Sequence, residues 1–335
     1  MKKNIKLTAC LIIGLMAASV LFVLNQHSYA MNEQKIEIET PQGKLTGTLI
    51  LPQHYSGNVG LIVFVHGDGP INDTYDDGYK PLWEKFASAG YASLSLNKPG
   101  IGGSSGNWLE QSMEDRAQET ISAINWAKNL PMIDKKSIGL WGASQAGWVI
   151  PKIVKEVPDL AFSILVSPAV NWISQGKYNT RLEMKQEGFS ENEIQAKEHY
   201  NAQVLQLLNE RASYEDYLRI AHSENLISKE RWEFIAKNYQ SDATEELSYF
   251  NAPVHLVLGG QDINVDIEET ERIYREKIPA SLLSVSYFPN ADHSMLSKKN
   301  AASPLRTYLT AVFFPRQLVE DQYLDDLSRF VKTQH

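Results

Sequence analysis

Three observations predict an α/β fold. Strands alternate with helices along most of the chain, a serine sits between small residues where a strand turns into a helix, and a long helical stretch interrupts the rhythm late on. The expected architecture is a mostly parallel central sheet covered by helices on both faces, with a helical cap inserted between late strands. A chain of 335 residues, 43% hydrophobic and 21% charged, suits one large domain with an insertion. It excludes disordered, collagen-like and small disulfide-stapled classes. The predicted division is a leader at 1–30, a core at 31–170, a cap at 171–250 and the rest of the core at 251–335.

The leader has a cationic start (Lys2, Lys3, Lys6), an uncharged apolar run over 7–24, and small residues at Ser28 and Ala30. This is the pattern of a secretory signal peptide cleaved after Ala30, so the expected location is secreted or extracytoplasmic. An uncleaved N-terminal membrane anchor is the alternative. Cys10, the only cysteine, lies in this leader. The expected mature chain therefore has no disulfide, thiolate metal site or cysteine nucleophile. The formal charge is −8, and −11 without the three leader lysines. Such an acidic body repels phosphate backbones and anionic lipid, so neither nucleic acid nor a membrane beyond the possible N-terminal anchor is an expected partner.

Residues 35–40 alternate at period two, and 44–51 continue the pattern after Pro41-Gln-Gly43, which reads as an edge hairpin. The continuous apolar run at 61–65 reads as a strand buried on both faces. A helix at 81–89, a strand at 91–96, a helix at 112–130 opened by Ser112 and Asp115, a strand at 137–141, a helix at 145–157 and a strand at 161–166 follow. Residues 171–250 then show no convincing strand. They carry nine Lys/Arg, fourteen Asp/Glu and eleven of the chain's 33 aromatics. Helices are expected there at 191–209 and 214–221. Alternation resumes with a strand at 253–259, a helix at 267–277, a strand at 282–288 and a last helix at 316–331.

Gly142-Ala-Ser144-Gln-Ala-Gly147 follows a buried strand and opens a helix, the setting of a nucleophile elbow. Ala146 stands where the pattern asks for glycine. A serine needs a base, and of eight histidines His293 lies on the loop after the last predicted strand, at the sheet's carboxyl edge with Ser144. His255, within a strand, reads as a core histidine. The imidazole needs a carboxylate on its other nitrogen. Asp262 lies just past a strand end, whereas its rival Asp266 sits where a helix begins. In Val65-His66-Gly67-Asp68-Gly69-Pro70 the glycines let backbone amides approach an oxyanion, so the amides of Asp68 (Gly69 as second choice) and Gln145 are the expected donors.

On these residues the chain resembles the α/β-hydrolase superfamily, whose nucleophile–acid–base order matches Ser144, Asp262, His293. Asn97-Lys-Pro-Gly-Ile-Gly-Gly-Ser104 resembles a loop that the superfamily usually writes with Asp-Arg, and no catalytic role is assigned to Asn97 or Lys98. His66-Gly-Asp-Gly-Pro70 followed by Asn72-Asp73 resembles the His-Gly-Ser-Gly-Pro branch of bacterial serine esterases, near the serine-aminopeptidase-like and dienelactone-hydrolase-like groups, with Asp68 replacing serine. The resemblance implies a carboxylesterase-like serine hydrolase with no cofactor and no metal. Its expected partner is a small-molecule ester with a short or medium uncharged acyl group; Trp172, Tyr178 and Trp232 of the expected cap are candidate walls for it, with core packing the competing and commoner role for each. A peptidase, aminopeptidase-like or thioester hydrolase using the same residues is the nearer alternative, and a non-catalytic binding protein the farther one.

Overall fold

The computed structural model describes residues 2–222 and 226–334. Met1 of the expected leader, residues 223–225 of the expected cap and the terminal His335 lie outside the described residues. Eight strands form one sheet in the order β1-β2-β4-β3-β5-β6-β7-β8. In chain order the elements begin with α1 (Lys2–Gln26), the hairpin β1 (Met31–Thr40) and β2 (Gly43–Pro52), β3 (Val59–Val65), α2 (Lys80–Ser88) and β4 (Tyr91–Leu96). Next come α3 (Met113–Ala127), β5 (Ile133–Ala143), α4 (Ile150–Glu156) and β6 (Phe162–Val166). After the helices α5 (Trp172–Gln186), α6 (Glu191–Asn209), α7 (Tyr214–Leu218) and α8 (Lys229–Asn238), the sheet resumes. It closes with β7 (Val254–Gly259), α9 (Ile267–Lys277), β8 (Leu283–Phe288), α10 (Lys298–Ala301), α11 (Pro304–Phe313) and α12 (Tyr323–Lys332). Only β2 runs against its neighbours, and every pairing from β4 to β8 is parallel.

Alternation along β3 shows how the sheet is covered. Leu61, Val63 and Val65 join a core with Ala117 and Ile124 of α3, Ile150 and Ile153 of α4, and Ile273 of α9. Ile62 and Phe64 point the other way, to Trp83 and Phe86 of α2 and Leu327 of α12. Burial on both faces is why these strands read as unbroken apolar runs. Helices α6 to α8 hold a small core of their own from Leu208, Tyr217, Trp232 and Tyr239.

Two expectations need correction. The last helix does not start at residue 316: a 3-10 turn at Pro315–Gln317 comes first, and Gln322 takes a left-handed φ of 68° before α12 starts at Tyr323. Helices α10 and α11 fill a stretch that the apolar periodicity did not mark. The helix expected from 145 is a 3-10 turn over Ser144–Trp148 before α4 begins. Among the described residues no helix is long and apolar enough to cross a membrane.

Candidate active site

Ser144, the first residue after β5, has a φ of 54°, a left-handed backbone that a residue with a side chain rarely adopts and that only a firmly packed turn maintains. The packing is visible at Gly142, where a Cβ would lie 2.6 Å from Ala146 Cβ and 2.7 Å from Ile150 Cδ1. Gly147 is tighter still, with a Cβ placed 2.2 Å from the Ala169 carbonyl oxygen. Position 146 therefore accepts a methyl, and the glycine that this turn requires is Gly147.

His293 Nε2 lies 2.9 Å from Ser144 Oγ, and its Nδ1 lies 2.8 Å from Asp262 Oδ2. The Asp262 side chain is fully buried, and its other oxygen accepts the amides of Asn264 (2.8 Å) and Val265 (2.9 Å). Both loops are fixed by close backbone approach. A Cβ on Gly259 would lie 2.5 Å from the Asp292 carbonyl oxygen, and the Gln261 amide donates to Ala291 O at 2.8 Å. Asp266 is elsewhere: it caps α9, accepting the Glu269 amide. Asp292 accepts the amides of Ser294 and Leu296 in its own turn. His255 is held in the core by Ser284 and Asp326.

The loop after β3 lies against the serine, since a Cβ on Gly67 would be 3.5 Å from Ser144 Cβ. Two buried cations grip this loop by its carbonyls. Lys98 Nζ donates to Gly67 O at 2.6 Å, and Arg116 Nη2 donates to His66 O at 2.5 Å. A trans peptide sets its N–H opposite its C=O, so holding the Gly67 carbonyl toward Lys98 turns the Asp68 amide to the other side. Neither that amide nor the one of Gln145 donates to a protein acceptor among the described residues. Arg116 also donates to Gln145 Oε1, and Gln145 Nε2 donates to Asp68 Oδ1 at 3.2 Å.

From α8, Arg231 reaches across to Asp68 with Nη1 at 3.1 Å and Nη2 at 2.6 Å. Burial works to raise the Asp68 carboxyl, but the hydrogen bond and charge of Arg231 outweigh it and hold the group below its ordinary value. Burial acts first on Lys98, holding its ammonium well below the usual lysine range, and lowers Arg116 to about 10. Burial also lowers His66 to about 3; its Nε2–H donates to Leu96 O and its Nδ1 faces the Tyr79 hydroxyl.

Lys98, Arg116 and Arg231 are the residues that sequence reasoning missed. Arg116 interrupts the apolar stripe of α3, at 5% exposure, and that break in the stripe was the available signal. Of the expected pocket walls, Tyr178 donates to Asp262 O at 3.3 Å and Trp172 stacks on Trp148. Trp232 is instead packed on Tyr217 inside the helical block.

The X-Pro dipeptidyl-peptidase (S15 family) pattern matches residues 24–285. A solved esterase from Pyrococcus furiosus, Pf2001, is similar over 90% of both chains at 18% identity, with a TM-score of 0.57. Est1E from Butyrivibrio proteoclasticus is similar over 89% of this chain and 96% of that one, at 14% identity and a TM-score of 0.55. Both show the α/β-hydrolase fold. An uncharacterized 31.7 kDa protein of the traX-finO intergenic region of Escherichia coli is 32% identical over 87 residues, covering 26% of this chain and only 29% of that protein.

Proposed function

We propose that this chain, which belongs to the X-Pro dipeptidyl-peptidase (S15) family and has the α/β-hydrolase fold, cleaves carboxylic esters through a Ser144–His293–Asp262 triad. The observation that carries the reading is His293 bridging the other two side chains, within 2.9 Å of each. Ser144 Oγ attacks the ester carbonyl as His293 Nε2 takes its proton, while Asp262 holds the imidazole's orientation and stabilises the imidazolium. The amides of Asp68 and Gln145 receive the oxyanion, where a single donor is typically worth about 10²–10³ in rate. His293 then protonates the leaving alcohol. Water repeats the sequence on the acyl-serine and frees the acid.

The ester reading draws on the solved esterases that share the fold and on the two carboxylates nearest the serine. A dipeptidyl-peptidase must hold its substrate's ammonium, yet Asp262 is occupied by His293 and Asp68 by Arg231. In this reading α5 to α8 roof the site as a cap. Export by a leader cleaved after Ala30 completes it. The family's name makes peptide hydrolysis the second reading. A panel of p-nitrophenyl esters of graded acyl length, set beside Xaa-Pro-p-nitroanilides and acyl thioesters, tests the choice. Turnover of short or medium neutral esters well above the other classes is expected; faster Xaa-Pro-anilide cleavage overturns it.

A further inference from the structure

Helix α11 is turned inside out for a helix surrounded by water. Its threonines face the protein: Thr307 Oγ1 donates to Asn300 O at 2.8 Å, and Thr310 Oγ1 to Asn300 Oδ1 at 3.2 Å. Asn300 is buried and donates through Nδ2 to Gln317 O and Leu318 O, which ties α10, α11 and the following turn into one platform. Four apolar side chains face outward, while Ala311, Val312 and Phe313 are half-buried. Leu305 is 67% exposed, Tyr308 66%, Leu309 44% and Phe314, just past the helix, 42%. One exposed leucine is ordinary. A row at i, i+3 and i+4 on a helix with no buried residue is a built apolar face.

The charge around this face is opposite to that of the rest of the chain. From His293 to Val319 the sequence holds Lys298, Lys299, Arg306 and Arg316 and no acid, in a chain of net charge −8. Arg316 is bound to Glu84, but Lys298, Lys299 and Arg306 are exposed and meet no carboxylate among the described residues. The neighbour at the Phe314 end is α1, through Phe22 at 5.6 Å between ring centroids and His27 Nε2 at 2.9 Å from Val312 O. That neighbour is the expected leader, so cleavage after Ala30 would leave Phe314 barer still.

We propose that α11 and its flanking bases dock on an anionic lipid surface. Leu305, Tyr308, Leu309 and Phe314 enter the boundary of the acyl region, and Lys298, Lys299 and Arg306 meet headgroup phosphates. Net charge alone speaks against such a surface, but this one face reverses the local sign. A second copy of the chain fits less well. A two-fold contact through α11 would set the three bases of one copy against the same three of the other, with no acid in the segment to answer them.

Flotation of the full chain with phosphatidylcholine vesicles, with and without about 30 mol% phosphatidylglycerol, tests the proposal near physiological salt. One variant carries Leu305→Asp, Tyr308→Asp and Leu309→Asp; the other carries Lys298→Glu, Lys299→Glu and Arg306→Glu. All six positions are exposed, and thermal melts check that the folds are equal. Any binding through α1 is common to the three chains. The wild type is expected to bind anionic vesicles at least about tenfold better than neutral ones, since each base near such a surface is worth about fivefold. Measured as partition relative to the wild type, above the binding common to all three through α1, the aspartate variant should fall about tenfold on both vesicles and the glutamate variant should lose only the anionic preference. The proposal is overturned if the aspartate variant floats like the wild type or if the wild type does not float. It is also overturned if light scattering finds a dimer that the aspartates dissociate while no chain binds vesicles.

Discussion

Arg231 and Asp68, 163 residues apart in sequence, form a two-pronged ion pair that ties α8 to the loop beside Ser144. The pair neutralises a carboxylate next to the position where the proposed mechanism would develop an oxyanion. Arg231→Met is therefore expected to slow turnover of neutral esters about tenfold, the effect of roughly 1.4 kcal/mol of repulsion. Adding Asp68→Asn should restore most of the loss, because the unpaired charge and not the missing arginine causes it. Steady-state kinetics of the two variants decide; an unchanged single variant removes the pair from the account.

The two candidate acids make opposite predictions. Asp262→Asn should cut kcat by about 10³–10⁴, because an amide cannot hold the same imidazole tautomer. Asp266→Asn should leave kcat unchanged and alter stability by at most a few tenths of a kcal/mol, since asparagine caps a helix as well as aspartate. Equal losses in the two would contradict the geometry.

His66 gives a dependence of stability on pH. Its folded pKa of about 3 lies below the unfolded value of about 6.5. Between them the unfolded chain binds the proton and the native chain does not, so this stability is present above pH 6.5 and is lost as pH falls, by about 1.4 kcal/mol per unit. Urea denaturation from pH 7 to pH 4 should show a slope shallower by about one proton in His66→Gln. Parallel slopes would mean that His66 is protonated in the native state.

At the elbow, Gly147→Ala must push a Cβ away from the Ala169 carbonyl oxygen, whose own amide donates to Ser144 O at 2.9 Å. A cost of about 1–3 kcal/mol in stability is expected from such overpacking. Ala146→Gly should cost about 1 kcal/mol or less. Differential scanning calorimetry of both variants checks the order, and the reverse order would place the required glycine at 146.

Much of this was legible because local pattern and burial agree. The run 61–65 and the alternation at 35–40 became β3 and β1, and Glu191–Asn209 and Ile267–Lys277 have the helix ends read from the sequence. Ser144, His293 and Asp262 were read as residues lying past strand ends, and the topology brings the three together at one edge. Lys98, Arg116 and Arg231 escaped because their contacts with carbonyls and a carboxylate are long-range, and no local periodicity encodes them. Helix α11 escaped for the converse reason: its apolar stripe faces outward and its threonines inward, so the pattern has no core to refer to.

The central claim is that Ser144 is the nucleophile that His293 activates. Treating the intact chain with a fluorophosphonate and mapping the adduct by peptide mass spectrometry tests it most directly. The account predicts one label per chain, on Ser144, absent in Ser144→Ala and strongly slowed in His293→Ala. A label on another residue, or one that persists in Ser144→Ala, would contradict it.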